Sequence, residues 1–177
     1  MRTRLTRRLG LLPAIATLML AAAGLQAAEP EAELSGAEQA RYLNELKHLY
    51  LTSSDRQALL AQSNELLDTY ALRAAFQVGQ AERRDQVYQL SVGAPGELLI
   101  SEKTREAQGV NIAVRNHRLS VFGVDPYIQY DCPPTEQTCV FRNPQDGSPW
   151  LTIRRDHQGA AQLAKALSFL LRNMQKG

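Results

Sequence analysis

The sequence predicts an α+β domain in which helices come first, an antiparallel sheet of three to five strands follows, and a C-terminal helix packs on the sheet. Two N-terminal segments repeat apolar residues at helical spacing, short alternating runs fill the chain from Val110 onward, and the segment 159–177 carries a wide apolar face. Helices followed by strands favour the α+β class. We expect residues 35–177 to form a single domain, since about 150 residues can bury one core.

The first 27 residues are typical of a secretory signal peptide. Four arginines precede an apolar run at 11–20, and small residues follow it, which is the order found in cleaved signals. The run is too short to favour a membrane span of about 20 residues. We expect cleavage near Ala27 or Ala28, a mobile leader at 28–34, no membrane span afterwards, and a periplasmic or secreted location.

The charge balance of the mature chain argues against nucleic acid as a partner. The whole chain has 20 Lys and Arg against 18 Asp and Glu, for a net charge of +2. Because four of the 20 basic side chains lie in the signal, the mature chain carries two more acidic than basic side chains. Phosphate binding needs a strongly basic surface, so we expect no nucleic-acid partner.

The N-terminal segments predict two helices that pack as an antiparallel helical hairpin. Ser35 with Glu38, and Ser54 with Gln57, match the capping-box pattern at a helix start. The second helix is predicted to run from there through Phe76, before Gly79. The short link between the helices favours the hairpin. The apolar stripe of the first helix consists of Tyr42, Leu43, Leu46, Leu49 and Tyr50.

The middle of the chain predicts further helices. Residues 82–92 fit a helix or a strand. Val87 and Tyr88 suit the helical period, whereas Tyr88, Leu90 and Val92 suit the two-residue period of a strand. We favour the helix. Residues 94–109 are also predicted as a helix, with Pro95 in its first turn and Gly109 at its end.

The stretch from Val110 predicts antiparallel strands joined by short turns. Residues 110–114 alternate, Asn116 and His117 could form a turn, and Leu119 and Val121 alternate in return. Further strands are bounded by turn residues, and Asp146-Gly147 is a turn signal between two of them.

The two cysteines, Cys132 and Cys139, predict a structural disulfide. Two cysteines in a secreted chain usually pair, and their spacing is not that of a C-x-x-C redox motif. The flanking sequences read as neighbouring strands, so the bond would close a hairpin. We expect it to hold the loop 133–138 in one shape.

No catalytic motif is present, so we expect no enzymatic activity, no metal and no cofactor. The three histidines, His48, His117 and His157, have no second ligand at metal spacing. Asp125, Asp131 and Asp156 could converge as catalytic carboxylates, but no spacing rule brings them together.

Seven residues form the predicted interaction surface. The aromatic and charged segment 122–133, the disulfide loop and the basic pairs Arg83-Arg84 and Arg154-Arg155 supply the candidates. They are Tyr127, Gln129, Thr135, Glu136, Gln137, Arg154 and Arg155.

Several stretches together resemble one bacterial family. They are the signal peptide, the paired helices, "GVDPYIQYDCP" with the following cysteine, "NPQDGSPWLTI" and "LAKALSFLLRNMQKG". The chain is similar in these to the small secreted proteins described as quorum-sensing-regulated virulence factors, a domain of unknown function. The resemblance implies a single secreted α/β domain without established enzymatic activity. A likeness of such folds to secretion chaperones implies protein binding, and no site residues carry over.

We therefore expect a non-enzymatic periplasmic or secreted protein that binds an unidentified protein partner, linked to virulence or to the cell envelope. One alternative is an inhibitor or immunity protein that plugs a secreted enzyme with the loop 132–139. Another is an unrecognised hydrolase whose acids and histidine converge only in the fold.

Overall fold

The structure, a computed structural model, describes residues 36–80 and 82–177, and these contain three α-helices, a short 3₁₀ helix (Ala74–Phe76) and six strands. The α+β class is confirmed, whereas the predicted signal peptide, the leader and Ser35 lie outside the described residues. The elements are α1 (Gly36–Leu49), α2 (Asp55–Thr69), β1 (Arg84–Val92), β2 (Glu97–Glu106), β3 (Ile112–Ser120), β4 (Tyr130–Asp131), β5 (Thr138–Arg142), β6 (Pro149–Arg154) and α3 (His157–Gln175).

The strands form two three-stranded antiparallel sheets, in the orders β1-β2-β3 and β4-β5-β6. The described residues thus contain six strands in two sheets, where one sheet of three to five strands was predicted. The turn predicted at Asp146-Gly147 does join β5 to β6. Gly147 has φ +72, and Asn143 accepts a backbone hydrogen bond of 2.8 Å from the Gly147 N–H.

The predicted helices at 82–92 and 94–109 are wrong, because both segments are strands. Along β1, Gln86, Tyr88 and Leu90 are buried and the residues between them are more exposed. This alternation has the two-residue period of a strand and not the period of a helix. Pro95 lies in a turn instead of a first helical turn. The next residue, Gly96, has φ +76, and the Gly93 N–H donates to the Glu97 carbonyl at 2.9 Å, which closes a tight β1–β2 hairpin.

A turn at Asn116 and His117 was also predicted wrongly. β3 runs through both residues and pairs with β2 from Ile112, opposite Arg105, to Ser120, opposite Glu97. The continuous ladder satisfies backbone groups that a turn would leave for other partners.

The second helix was predicted to extend through Phe76, but α2 ends at Thr69. The next residues, Tyr70–Leu72, form what we call the linking segment. The Tyr70 carbonyl accepts from the Arg154 N–H at the end of β6, and the Leu72 carbonyl accepts from the Gln86 N–H in β1, both at 2.8 Å. Since these bonds need an extended backbone, the helix cannot continue, and the linking segment bridges the two sheets.

The helix α3 contributes more buried apolar side chains than any other element of the described residues. Leu163, Leu167 and Leu171 have no exposed surface, and they belong to one core with Ile100 and Ile153 from the two sheets. α3 packs more closely on α2 than on the strands, so the predicted docking on the sheet holds in part. A strongly amphipathic helix buries its apolar face in this way to stabilise a fold.

Polar groups fix α3 against the loop that follows β3. The Ser168 hydroxyl accepts from the Ile128 N–H at 3.0 Å. The Gln175 amide donates to the Val121 and Val124 carbonyls at 2.7 and 2.9 Å. These bonds give the loop backbone the partners that burial requires. In this loop Ile128 is buried, whereas Phe122 is 55% exposed.

The two N-terminal helices are joined by a short link. Tyr50 donates to Glu65 at 2.5 Å on α2, and Lys47 pairs with Asp55 at 3.0 Å. Their arrangement as an antiparallel hairpin stays a prediction. In the predicted apolar stripe of α1, Leu43 and Leu46 are buried and Leu49 is exposed. Ser54 caps α2 as predicted, since its hydroxyl accepts from the Gln57 N–H.

Replacing Gly96 by alanine should destabilise the protein more than replacing Gly147. Both glycines have positive φ, so each alanine costs about 1 kcal/mol in backbone strain. A Cβ on Gly96 would also lie 2.0 Å from the Phe122 ring, whereas nothing lies within 4 Å of one on Gly147. Displacing the ring should add about 1 kcal/mol. Urea unfolding measures both, and in a Phe122→Ala background the extra loss should disappear. Equal losses in the parent protein would contradict this packing.

Because of Asp85, the free energy of unfolding should depend on pH in the acidic range. The Ala74 N–H donates to its carboxylate at 2.9 Å and Arg105 at 2.6 Å, and these bonds lower its pKa. A lowered folded pKa contributes stability above the unfolded value of about 3.9, and this contribution is lost as pH falls through the folded pKa. Asp85→Asn should therefore be less stable than the parent at neutral pH. The difference should shrink below about pH 4, as measured by urea unfolding, and a pH-independent difference would refute the assignment.

Candidate functional site

The disulfide hairpin is formed as predicted. Cys132 and Cys139 are bonded, with their Cα atoms 4.2 Å apart. Just outside the bond, Tyr130 pairs with Phe141 across β4 and β5. Cys139 is fully buried in the core, so the bond anchors the loop 133–138 to the body of the fold.

The hairpin tip holds three of the predicted surface residues, and Arg155 is bonded to it. Thr135, Glu136 and Gln137 are exposed. The Arg155 N–H donates to the Gln137 carbonyl at 2.8 Å, and its guanidinium donates to the Pro134 carbonyl at 3.0 Å. The tip is therefore held by backbone and side-chain bonds in addition to the disulfide.

Tyr127 and Gln129 belong to a different part of the surface. They precede β4, whereas the disulfide follows it. The Tyr127 N–H donates to Asp125 at 2.9 Å, and the Gln129 carbonyl accepts from the Arg142 N–H at 2.9 Å. Both side chains are exposed, as predicted. Their backbone bonds are thus made to Asp125 and Arg142, whereas Arg155 bonds to the tip itself.

Arg154 lines a cleft of about 330 Å³ between the start of β1 and the sheet that contains β6. Its guanidinium carbon lies 5.4 Å from the centre of the Phe76 ring, a cation–π distance. Among the other residues that line the cleft are Arg73, Arg84, Gln86 and Gln137. The cleft therefore joins one basic residue from each predicted pair to the disulfide tip.

Two glutamines fix the loop that forms one wall of this cleft. Gln77 is buried, and its amide both donates to the Arg84 carbonyl at 2.6 Å and accepts from the Arg84 N–H at 3.2 Å. Gln80 donates to the Gln137 side chain at 3.0 Å. The wall is therefore tied at one end to β1 and at the other to the hairpin tip.

Gln86 lies in the cleft wall, and its side-chain oxygen accepts no hydrogen bond from the described residues. Only 8% of the residue is exposed. Its Nε2 donates to Glu102 and to the Tyr88 hydroxyl, both at 2.7 Å. Because a carboxylate only accepts, the amide nitrogen must face Glu102. That leaves Oε1 buried with no hydrogen-bond partner among the described residues. Burial raises the pKa of Tyr88 to about 12, so this phenol remains neutral.

The three aspartates considered as catalytic acids each have a different local partner. Asp125 accepts from the Tyr127 N–H, Asp131 pairs with Arg142 at 2.7 Å, and Asp156 caps α3 by accepting from the Gly159 N–H at 2.7 Å. Within the described residues, no group of three or more His, Cys, Asp or Glu side chains could hold a metal ion.

A second surface feature is the outer edge of β3. β3 pairs with β2 on one side, and no other strand of the described residues pairs with it. Eight of its nine residues are exposed. Ile112 and Val114 are 60% and 54% exposed, and the neighbouring Val110 is 94% exposed. An edge strand of this length presents unpaired backbone groups beside apolar side chains.

The comparisons with known proteins found no matching family model, no matching curated protein and no matching solved structure. Of the described helices, none is long and apolar enough to cross a membrane.

Neither the cleft nor the β3 edge was predicted from the sequence, for identifiable reasons. Phe76 and Arg84 were placed in predicted helices, so their approach to Arg154 was not foreseen. The β3 edge was hidden by the turn predicted at Asn116 and His117. The alternation of Tyr88, Leu90 and Val92, which was set aside in favour of a helix, was the signal that could have placed β1 correctly.

The disulfide should stabilise the fold measurably. Thiol titration of the unfolded, unreduced protein should detect no free thiol. The double variant Cys132→Ala/Cys139→Ala should lose roughly 2 to 3 kcal/mol of unfolding free energy, since the bond restricts a short loop in the unfolded chain. A reducing agent should destabilise the parent and leave the double variant unchanged. Two reactive thiols in the parent protein would refute the pairing.

Proposed function

We propose that the protein is a non-enzymatic, extracytoplasmic module that binds another protein by pairing an extended segment of it with the free edge of β3. The observation that most directly supports this proposal is the nine-residue edge strand with exposed Ile112 and Val114. In strand addition, main-chain hydrogen bonds supply affinity and alternate side chains supply specificity. The disulfide fits an oxidising compartment, which supports a periplasmic or secreted location.

The two faces of β3 define the chemistry of the partner. Ile112 and Val114 lie on one face, because they are two residues apart. Arg115 and His117 lie on the other. His117 is 3.5 Å from Glu102, whereas Arg115 has no ion pair within the described residues. A segment that alternates apolar and acidic residues would match both faces.

A second copy of the same chain is a poorer occupant of this edge. β3 contains Arg115, His117 and Arg118 and no acidic residue. Two such strands paired with each other would bring basic side chains together, and like charges across a strand pair are destabilising. The charge pattern therefore favours a different, acidic partner.

The resemblance to quorum-sensing-regulated virulence factors agrees with a secreted binding protein, and membership in that family stays part of the proposal. The role as an inhibitor or immunity protein would instead use the exposed tip at Thr135–Gln137. The β3 edge is preferred because it combines unpaired backbone with exposed apolar side chains, whereas the described tip residues are polar.

Strand addition should be detectable with defined peptides. A capped heptapeptide that alternates valine and glutamate should slow amide hydrogen exchange along β3, whereas one that alternates valine and lysine should not. Arg115→Glu should reverse this preference, because it changes the charge that the peptide meets. The readout is residue-resolved exchange by NMR on the oxidised protein.

A matched pair of lysine variants serves as the control. Val114→Lys places a charge on the edge strand and should abolish peptide binding. Val110→Lys introduces the same charge outside the strand and should leave binding intact. Equal loss in both variants, or no protection of β3 by either peptide, would overturn the proposal. Self-association that Val114→Lys abolishes, without peptide binding, would assign the edge to a second copy instead.

A further inference from the structure

We infer that the cleft lined by Arg84 and Arg154 is a separate binding site for a monocarboxylate with an apolar body and an N–H donor. A peptide C-terminus and a free N-acylated amino acid share this chemistry. The site lies on the edge of the molecule formed by the linking segment and the disulfide tip. The inference does not depend on strand addition at β3.

The charged residues that line the cleft favour a ligand with one negative charge. Arg73 is already paired with Asp68 at 2.6 Å. Of the other charged residues in the lining, Arg84 and Arg154 are positive and Glu82 is negative. The cleft thus has a net charge of about +1 once the Asp68 pair is set aside, which suits a monoanion. Guanidinium groups bind carboxylates through paired hydrogen bonds.

Apolar surface beside these arginines would hold the body of the ligand. The Phe76 ring is 63% exposed and lies against the Arg154 guanidinium. Leu72 also lines the cleft. An exposed aromatic ring next to a cation is a common element of ligand recognition, so an aromatic or aliphatic side chain of the ligand would contact Phe76.

The unpartnered oxygen of Gln86 points to a donor on the ligand. A buried acceptor without a hydrogen bond costs free energy, and Gln86 lines the same cleft. Oε1 itself has less than 1 Å² of exposed surface, so an amide N–H next to the carboxylate, as in the last residue of a peptide, would supply the missing bond once the Gln86 side chain turns toward the cleft. This distinguishes the expected ligand from a simple aromatic acid.

The chain provides unusually close controls for this site. Arg83 and Arg155 are adjacent in sequence to Arg84 and Arg154 but do not line the cleft. Arg155 instead bonds to the Pro134 carbonyl. Arg→Gln at either member of a pair removes the same charge from the protein. Any general effect of net charge is therefore equal for the two members, and only a local site distinguishes them.

The test is a titration of the full, oxidised chain with acetyl-phenylalanine, monitored by NMR amide shifts. We expect saturable shifts at cleft residues with a dissociation constant of about 1 mM, a reasonable affinity for so small a ligand. Acetyl-phenylalanine amide, which lacks the charge, should cause none. Arg84→Gln and Arg154→Gln should each weaken binding about tenfold, equivalent to about 1.4 kcal/mol. Arg83→Gln should bind like the parent. Arg155→Gln, which also removes the bond to the Pro134 carbonyl, should weaken binding less than Arg154→Gln.

Thermal unfolding of all four arginine variants shows whether each is folded. Phe76→Ala gives an independent test, because it keeps every charge and should also weaken binding. Tighter binding of acetyl-Gly-Gly-Phe than of acetyl-phenylalanine would assign the ligand to a chain terminus, and equal binding to a free acid. Equal binding of acid and amide, equal loss in both members of an arginine pair, or saturable binding of inorganic phosphate alone would overturn the inference.

Discussion

The linking segment, Tyr70–Leu72, holds the two sheets in one structure. One of its carbonyls accepts from β6 and another from β1, so the edges of two separate three-stranded sheets are joined by a few residues that belong to neither. Each such bond contributes only about 1 kcal/mol net. Their structural effect is larger, because without them β1 and β6 would both present unpaired edges. The end of α2 and the position of Phe76 both follow from this constraint.

The same constraint separates the two proposed binding surfaces. The linking segment pairs with the edge of β1 at Gln86, whereas no strand of the described residues pairs with the outer edge of β3. At the edge of β1, the bonds of Gln77 and Asp85 tie the loop that continues from Leu72 to the start of β1. Residues of this loop, of β1 and of β6 line the cleft that contains Arg84 and Arg154. One sheet edge is thus left open for an extended chain, while the other is enclosed into a concave site.

The sequence predicted those features that are encoded within a few residues. Ser54 caps the start of α2, Asp146-Gly147 forms the turn between β5 and β6, and Cys132 pairs with Cys139. Each of these features depends on local chemistry. The end of α2 was not predictable in this way, since the residues after Thr69 have helical spacing. They become extended only because Arg154 and Gln86 offer donors from distant parts of the chain.

The candidate site was predicted only in fragments for a related reason. Gln137 and Arg154 were selected for their exposure and charge, and the fold places both at the cleft. Phe76 and Gln86 could not be added, because an aromatic residue in an expected helix and a glutamine in an ambiguous segment carry no sign of a shared cavity. β1 was misassigned since Tyr88 satisfies both the helical and the strand period, and only the pairing of β1 with β2 decides between them.

The contacts of α3 also determine when the protein can acquire its structure. Lys165 reaches Glu38 on α1 and Arg56 on α2 reaches Asn173, pairs that are 127 and 117 residues apart in the chain. Contacts between such distant residues form late, because a long loop must close before they gain anything. During synthesis, α1 and α2 leave the ribosome well before the helix that covers them. The core that α3 completes against α1 and α2 therefore cannot form in full until the C-terminus has been made.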